Sequence, residues 1–290
     1  MNRGPGRRRV RPATPSTRDT LPEAPAPKKK AKPCNCSGPL GSVTVIVPYF
    51  SQPLMLAKHL EAWNDAPEGY RFIVVDDGSK VPARPVVEAC ATPALRERLA
   101  LYRIHDDIPW NRNGARNLGA HVAETKWIVH VDTDHVLTRE SMAPLLAFKA
   151  ECSKFYFFPR WRVGAADETR RKDRLDPTVK FGKLDNYHGD SYLIARSVFW
   201  SFGGYDERFS GCLGGGQHFV SSQLEPNVPH EILPDDIRLH AYTRDAVADA
   251  NVTTLSRDPA EFTRRRLAIR REGSATARPL HLNFKWERVL

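Results

Sequence analysis

Two carboxylates and an imidazole follow directly on an apolar, β-branched stretch in the segment IVHVDTDHV, residues 128–136. A carboxylate at the end of a buried strand is costly unless it is solvated, paired or bound to a cation. Asp132 and Asp134 can both supply oxygen ligands to Mn²⁺ or Mg²⁺, with phosphate oxygens completing the shell. A cation held in this way neutralises a diphosphate leaving group. The alternative is an exposed turn in which an aspartate caps the next helix.

The elements that must position this motif alternate between strands and helices. The strands are continuous apolar runs, which is typical of a parallel sheet with helices on both faces. The predicted strands are residues 42–48, 71–75, 99–104 and 127–131, and the predicted helices are residues 54–63, 113–123 and 140–150. A Pro-rich connection is expected before the third strand. In such sheets, ligands bind beyond the carboxyl ends of the strands.

Three of these strands end in polar or aromatic residues. Pro48-Tyr49 ends the first strand, Asp76-Asp77 follows the second, and Asp132 with Asp134 follows the fourth. Because the carboxyl ends of parallel strands share one edge of the sheet, this placement predicts a nucleotide cleft there. The alternative for Asp76-Asp77-Gly78-Ser79 is a tight turn, since Asp and Gly are turn formers.

The second half of the chain is less regular. Residues 154–160 are predicted as a strand, and residues 161–186 as a charged loop rich in arginine and lysine. The segment 190–207 predicts a strand, a short helix and a Gly-Gly turn. RRRLAIRRE, residues 264–272, predicts a basic helix, which is more often a solvated face than a binding groove.

The positive charge is concentrated at the start of the chain. Residues 1–41 carry +8 of the formal net charge of +10, together with eight of the 23 prolines. Such a segment cannot bury enough apolar surface to offset the entropy of ordering, so we expect a disordered tail. It can bind nucleic acid or another acidic surface, or it can be a solvated extension. Residues 42–290 are then one domain, with a nucleotide-sugar half at 42–137 and an acceptor half at 138–290.

No apolar stretch is typical of a signal peptide or of a membrane span. The five cysteines are odd in number and widely spread, so reduced thiols are expected. Both observations favour a cytoplasmic protein, in the host cytoplasm if the protein is viral.

The motifs VTVIVPYF, FIVVDDGS, RNGARNLGAHVA, WIVHVDTDHVL and GGYDERFSG, in this order, resemble the family-2 type of GT-A glycosyltransferases. The resemblance covers about residues 42 to 220. It implies an α/β fold of the GT-A class, with a Rossmann-like, mostly parallel sheet covered by helices on both faces. It also implies a nucleotide-diphosphate-sugar transferase with Mn²⁺ or Mg²⁺ as cofactor and a UDP-sugar as the favoured donor.

The resemblance also assigns residues. It places Pro48, Tyr49, Asp76 and Asp77 at the nucleoside, Arg112 and Arg116 near the donor phosphates, Asp132 at the metal and donor ribose, Asp134 at the metal, and His240 as a late third metal ligand. Arg116 can instead be a structural partner of an aspartate, and His240 a buried structural histidine. His135 is expected to support the ligands rather than to bind the cation.

The sequence departs from the family after GGYDERFSG. Many inverting members continue to a Gly-Glu-Asp stretch whose aspartate is the general base, whereas this chain has Gln217 and His218 at the Glu-Asp positions. Histidine is a competent base near neutral pH, so His218 is one candidate. Asp190 and Asp206 are the others. A retaining reaction, or lost activity, would also account for the departure.

The leading hypothesis is a metal-dependent, inverting, hexosyltransferase-like enzyme that acts on an acceptor hydroxyl. GT-A-like sheets also host nucleotidyltransferases, but the Gly-rich, Lys-containing loop typical of them is missing after the first strand. A non-catalytic binding protein for sugar nucleotides is the second hypothesis. The basic tail and the basic residues at 160–174 make modified bases in phage or viral DNA a hypothesis for the acceptor. Cell-wall, lipid-linked and protein glycans remain alternatives.

Overall fold

The computed structural model describes residues 37–163, 181–184, 187–211, 215–242, 258–271 and 282–290. Its strands, in chain order, are β1 (Ser37–Pro39), β2 (Val43–Tyr49), β3 (Tyr70–Asp76), β4 (Leu99–Ile104), β5 (Trp127–His130), β6 (His135–Leu137), β7 (Lys149–Glu151), β8 (Phe155–Phe157), β9 (Arg160–Val163), β10 (Phe181–Leu184), β11 (Tyr192–Ala195), β12 (His230–Ile232), β13 (Leu239–Tyr242) and β14 (Trp286–Arg288). Its helices are α1 (Pro53–Trp63), α2 (Ala83–Cys90), α3 (Pro93–Arg96), α4 (Arg112–Val122), α5 (Arg139–Ala147), α6 (Arg196–Ser201), α7 (Gly215–Phe219) and α8 (Pro259–Arg271).

Four parallel strands in the order β5-β2-β3-β4 form the centre of an eight-stranded sheet. Every residue of β2 is buried, as its continuous apolar sequence predicts. Successive side chains of a strand point to opposite faces, so Val45 and Val47 join one hydrophobic core and Ile46 joins the other. The predicted parallel sheet with apolar layers on both faces is confirmed.

The helices α1 and α4 supply the two layers next to β2. Leu56, Leu60 and Trp63 of α1 belong to the first core, and Leu118 of α4 belongs to the second. Burying side chains of this size contributes about 1.5–3 kcal/mol each. A side chain at Gly119 would collide with Ile46, so glycine is what allows α4 to lie close against the sheet. This close approach brings the start of α4 to the carboxyl edge.

The outer strands complete the sheet on both sides. β11 runs antiparallel to both β5 and β8, β12 joins β8, and β14 runs antiparallel to β4. A second sheet of four strands has the order β10-β9-β13-β6. It begins directly after the acidic motif, because β6 starts at His135.

Several segments differ from the sequence predictions. The expected Pro-rich connection contains the two helices α2 and α3. Pro93 is compatible with α3 because it occupies the first turn of that helix, where no backbone donor is needed. The expected loop at 161–186 contains most of β9 and all of β10, which pair with each other. Within the predicted tail, residues 37–39 form β1 against β7, and residues 1–36 lie outside the described residues.

In the described ranges, no helix combines the length and the apolar composition needed to cross a bilayer.

Candidate active site

The acidic loop after β5 is fixed by hydrogen bonds from three directions. The Thr133 hydroxyl donates to the Pro48 carbonyl at 2.6 Å, and His59 Nε2 donates to the Thr133 carbonyl at 3.0 Å. The backbone N–H of Asp132 donates to Ser191 Oγ at 3.2 Å. The loop is therefore anchored to β2, to α1 and to the residue before β11.

Two arginines of α4 form ion pairs with two aspartates at this edge. Arg112 and Arg116 are four residues apart and so lie on one face of the helix. Arg112 Nη1 lies 3.0 Å from Asp132 Oδ2, and its Nη2 lies 2.7 Å from Asp190 Oδ2. Arg116 contacts Asp132 Oδ1 through Nη2 and Asp190 Oδ1 through Nη1, the latter at 3.3 Å. The charges of the four groups balance.

The arginines decide the ionisation of both carboxyl groups. Burial opposes ionisation of Asp132, but the positive charges of Arg112 and Arg116 outweigh it and hold its pKa well below the ordinary value. The same balance of burial and guanidinium charge lowers the pKa of Asp190. Arg116 is fully buried, and its pKa is raised, because the neighbouring anions and tyrosines outweigh its burial. Both aspartates are therefore carboxylates at neutral pH.

A histidine that the sequence analysis did not single out joins these carboxylates. Ligand atoms of Asp132, His188 and Asp190 all lie within 4.8 Å of one another. His188 Nε2 is 3.4 Å from Asp132 Oδ2, and its ring stacks on that of His135 with centroids 4.2 Å apart. Burial and the neighbouring ring of His135 lower the pKa of His188 to about 3, so the imidazole of His188 is neutral at pH 7.

These three side chains fit a divalent cation. Two carboxylates with one neutral imidazole form a donor set that suits Mn²⁺, and the carboxylates also suit Mg²⁺. Asp190 Oδ1 is buried and accepts no hydrogen bond in the described structure, beyond its ion pair with Arg116. His188 lies in the motif HGDSY two residues before the predicted base Asp190, and this motif is the one local signal for it in the sequence.

The other predicted metal ligands are not members of this three-residue cluster. Asp134 Oδ1 lies 2.7 Å from His135 Nδ1, and His135 Nε2 lies 3.0 Å from Arg160 Nη1. Because a guanidinium only donates, His135 Nε2 accepts from Arg160 and His135 Nδ1 donates its proton to Asp134. His240 is in β13, opposite Val136 of β6. The cluster formed by Asp132, His188 and Asp190 includes neither Asp134 nor His240, whose ligand roles stay predictions.

The predicted nucleoside residues have different surroundings. Asp76 accepts hydrogen bonds from the backbone N–H groups of Ser79 at 2.8 Å and Ala83 at 3.0 Å, and from Arg103 at 3.0 Å. Its carboxylate therefore holds the turn and the start of α2 in place. Tyr49 is buried and donates to the Val81 carbonyl at 2.8 Å.

Asp77 remains the side chain of this group that is available to a ligand. It is partly exposed, and Pro48 beside it is buried. Burial and the charges of Asp76 and Asp107 raise the pKa of Asp77 to about 7, against a hydrogen bond from the Asn111 backbone. Near neutral pH this carboxyl can either accept or donate a hydrogen bond. The nucleoside role of all four residues stays a prediction.

The three candidate bases differ in the hydrogen bonds that they already make. Asp206 accepts from the Arg208 backbone N–H, from Nε at 3.0 Å and from Nη2 at 2.9 Å, so its oxygens are occupied. Asp190 is held by both arginines of α4. His218 is buried in α7, with its ring 5.0 Å from that of Phe209.

The start of α7 touches the carboxylate cluster. A side chain at Gly216 would collide with Asp190 Oδ1 and with Arg116, so only glycine allows this approach. His218 follows two residues later. Because Arg208 already occupies both oxygens of Asp206, His218 is the better candidate for the base.

Comparison with known proteins agrees with this architecture. The family described as glycosyl transferase family 2 matches residues 44–211, more than half of the chain, so the chain belongs to glycosyl transferase family 2. No curated protein matches it. The departure at Gln217 and His218 lies beyond the matched residues.

Solved structures share the fold at low sequence identity. S. aureus TarS 1-349, solved with UDP-GlcNAc, is 14% identical with a TM-score of 0.53, over 78% of this chain and 73% of that chain. The mannosyltransferase PcManGT from Pyrobaculum calidifontis, solved with GDP-Man and Mn²⁺, is 15% identical with a TM-score of 0.51, over 91% and 72%. GalNAc-T7, solved with UDP, GalNAc and Mn²⁺, is 14% identical with a TM-score of 0.52, over 71% of this chain. This chain spans 45% of GalNAc-T7. The GT-A fold class predicted from the sequence is confirmed.

Proposed function

We propose that the protein is a metal-dependent glycosyltransferase that moves a hexosyl group from a nucleotide-diphosphate sugar to an acceptor hydroxyl with inversion. A UDP-sugar is the favoured donor. The observation that carries the proposal is the junction of two arginines with Asp132, His188 and Asp190 at the carboxyl ends of the parallel strands. Family membership supports the same reaction class.

The start of α4 is suited to the diphosphate of such a donor. Arg112 is the first residue of the helix, so the free backbone N–H groups of the first turn and the helix dipole add to its charge. A guanidinium presents a planar fork that matches phosphate oxygens. Asp77 is hydrogen-bonded to the Asn111 backbone beside the N-terminus of the same helix, and it would bind the nucleoside.

Mn²⁺ or Mg²⁺ would be held by Asp132, His188 and Asp190, and it would supply Lewis-acid neutralisation of the leaving diphosphate. The arginines already balance the two carboxylates, so a cation alone would add uncompensated positive charge to a buried site. The diphosphate brings the opposite charge. We therefore expect cation and donor to bind together.

Removal of the cation tests this coupling. We expect a chelator to weaken binding of a UDP-sugar by tenfold or more, measured by calorimetry with and without Mn²⁺. His188→Ala should raise the Mn²⁺ concentration required for donor binding, because it removes one of three ligands. His240→Ala tests the ligand set predicted from sequence. If the Mn²⁺ concentration required for donor binding rises more in His240→Ala than in His188→Ala, the third metal ligand is His240 instead of His188. Donor affinity indifferent to chelator would overturn the proposed metal dependence.

The transfer step needs a group that accepts the acceptor proton. As the acceptor oxygen bonds to the anomeric carbon, the bond from that carbon to the diphosphate oxygen breaks, and the hydroxyl proton passes to an imidazole nitrogen of His218. The second candidate function is binding of a sugar nucleotide without transfer. The replacement of the expected Glu-Asp pair by Gln217 and His218 is the observation that favours it.

The variant His218→Gln separates these functions. We expect it to lower kcat by about 10²- to 10⁴-fold, because a general base contributes on this scale, and to leave donor Kd unchanged. Single-turnover kinetics with a labelled donor, and hydrolysis by water where the acceptor is unknown, provide the measurement. An unchanged kcat would move the base elsewhere. Donor binding without turnover in the parent protein would favour the binding function.

For the acceptor, we propose a hydroxymethylpyrimidine-like base in phage or viral DNA, in a cytoplasmic setting that would be the host cytoplasm. The basic tail and the basic residues at 170–174 support this choice, whereas Arg160 and Arg162 are buried. Cell-wall, lipid-linked and protein glycans are the competing acceptors. Mass analysis of each class after incubation with donor and Mn²⁺ distinguishes them.

A further inference from the structure

The helix α8 is a concentrated source of positive charge. Its sequence, PAEFTRRRLAIRR, contains five arginines and one glutamate. Arg264 has 69% of its side chain exposed and is 3.7 Å from Asp258, and Arg271 is exposed at the end of the helix. Surface charge of one sign attracts a partner of the opposite sign and raises its local concentration.

This helix is tied to the candidate active site. Arg265 Nη1 donates to the Ser210 carbonyl at 2.7 Å, and the Ser210 hydroxyl donates to Asn111 Oδ1 at 3.1 Å. Asn111 immediately precedes α4, which carries Arg112 and Arg116. The exposed arginines of α8 are thus anchored beside the helix that meets the donor.

A strained aromatic residue lies in the same region. Trp110 has a φ of +49°, which is unusual for a bulky residue, and such strain is concentrated at functional sites. Its ring is only partly buried and lies 5.7 Å from the Arg112 guanidinium. Pro109, its neighbour, lies alongside Gly211, the residue after Ser210. An aromatic ring beside arginines can stack against a nucleobase.

We propose that the basic rim, defined as Trp110 with Arg264, Arg265 and Arg271, binds a single strand of nucleic acid. Backbone phosphates lie along Arg264 and Arg271, and one base stacks on Trp110. An acidic polypeptide would satisfy the arginines but offers no regular series of planar rings. The proposal rests on the proposed function in one respect, since the nucleic-acid acceptor proposed there would reach the site along this rim.

The test measures binding of a fluorescent oligo-dT strand to the full-length protein, without donor, across a range of salt concentrations. The variant Arg264→Gln/Arg271→Gln should bind about tenfold more weakly at 0.1 M salt. Its salt slope should fall by about 1.4, since each single-strand phosphate contact contributes about 0.7. The matched control is Arg84→Gln/Arg139→Gln, which removes two exposed arginines, 56% and 65% exposed, that have carboxylate partners as Arg264 does.

The stacking contact is tested with a second variant. Trp110→Ala should weaken binding of oligo-dT by about fivefold or more and leave binding of an abasic strand of equal length unchanged. Thermal unfolding of each variant confirms that it is folded. Metal-dependent donor hydrolysis, assayed in parallel on the α8 variant, should equal that of the parent protein, so failure of the proposed function is distinguished from failure of the rim.

Three results would overturn the proposal. The first is equal binding by the α8 variant and the parent protein, and the second is an equal loss in the matched control, which would show that general charge is responsible. The third is competition by poly-glutamate as strong as that by DNA. A Trp110→Ala variant that loses abasic and normal strands alike would overturn the stacking contact.

Discussion

Arg116→Met is expected to lower the free energy of unfolding by about 3–5 kcal/mol at pH 7, the usual cost of breaking a buried ion pair from one side. Arg116 is fully buried and holds Asp132, the Asp190 carboxylate and the Asp190 carbonyl. Methionine has a similar length but no charge, so two buried carboxylates would be left with Arg112 alone. Urea denaturation at constant pH measures the change.

Two further variants isolate the electrostatic part of this loss. Arg112→Met should cost less, because the Arg112 side chain is 19% exposed and water can replace part of its solvation of the aspartates. Adding Asp132→Asn to Arg116→Met should recover part of the loss, since the unpaired buried charge is then removed. A loss below about 1 kcal/mol for Arg116→Met, or no recovery in the double variant, would contradict the charge balance that we describe.

Part of this site could be predicted from the sequence. Asp132 follows the apolar strand β5, so its position at the carboxyl edge follows from the parallel sheet. Arg112 and Arg116 lie in α4, and the family resemblance rather than the strand pattern places them near this edge. The structure brings both arginines into contact with Asp132, and the predicted donor roles of the three residues stay predictions.

His188 could not be placed by the same reasoning. It precedes β11, which joins the sheet antiparallel to β5, and no local pattern specifies that neighbour. The pairing depends on burial of Tyr192 and Ile194 against residues far away in the chain. Short strands such as β14, with three residues, were missed for the same reason.

The DDGS motif shows a second limit of sequence reasoning. Two adjacent aspartates are equivalent in the sequence, yet Asp76 is occupied by two backbone N–H groups and Arg103, whereas Asp77 is partly exposed beside α4. Adjacent residues of a strand point in opposite directions. The packing of α2 and β4 determines which of the two carboxylates accepts hydrogen bonds from the protein itself. The turn interpretation of the motif holds for Asp76, and the ligand interpretation stays a prediction for Asp77.

The buried histidines predict a marked loss of stability in acid. Burial, with the charge of Arg116, lowers the pKa of His130 well below its ordinary value, and burial lowers that of His59 to about 4. The folded state therefore excludes protons that the unfolded chain binds below about pH 6.5. The contribution of these histidines to the free energy of unfolding is fully present above about pH 6.5. Below that pH it falls by about 1.4 kcal/mol per pH unit for each histidine, until the pKa of the folded state is reached.

His130→Phe is expected to remove one of these contributions. Both ring nitrogens of His130 lack a hydrogen-bond partner in the described structure, and the rings of Tyr192, Phe199 and Tyr205 surround it at 5.0–5.6 Å. Phenylalanine suits this aromatic environment and cannot be protonated. Between pH 6.5 and 4.5 the slope of unfolding free energy against pH should fall by about 1.4 kcal/mol per unit.

Urea titrations at half-unit intervals of pH give this slope directly. Phe199→Leu is the matched control, because it alters the same cluster of rings without removing a titrating group. It should lower stability by a similar amount at every pH and leave the slope as in the parent protein. An unchanged slope in His130→Phe would mean that His130 is protonated in the folded protein. In that case burial and the charge of Arg116 would not lower the pKa of His130.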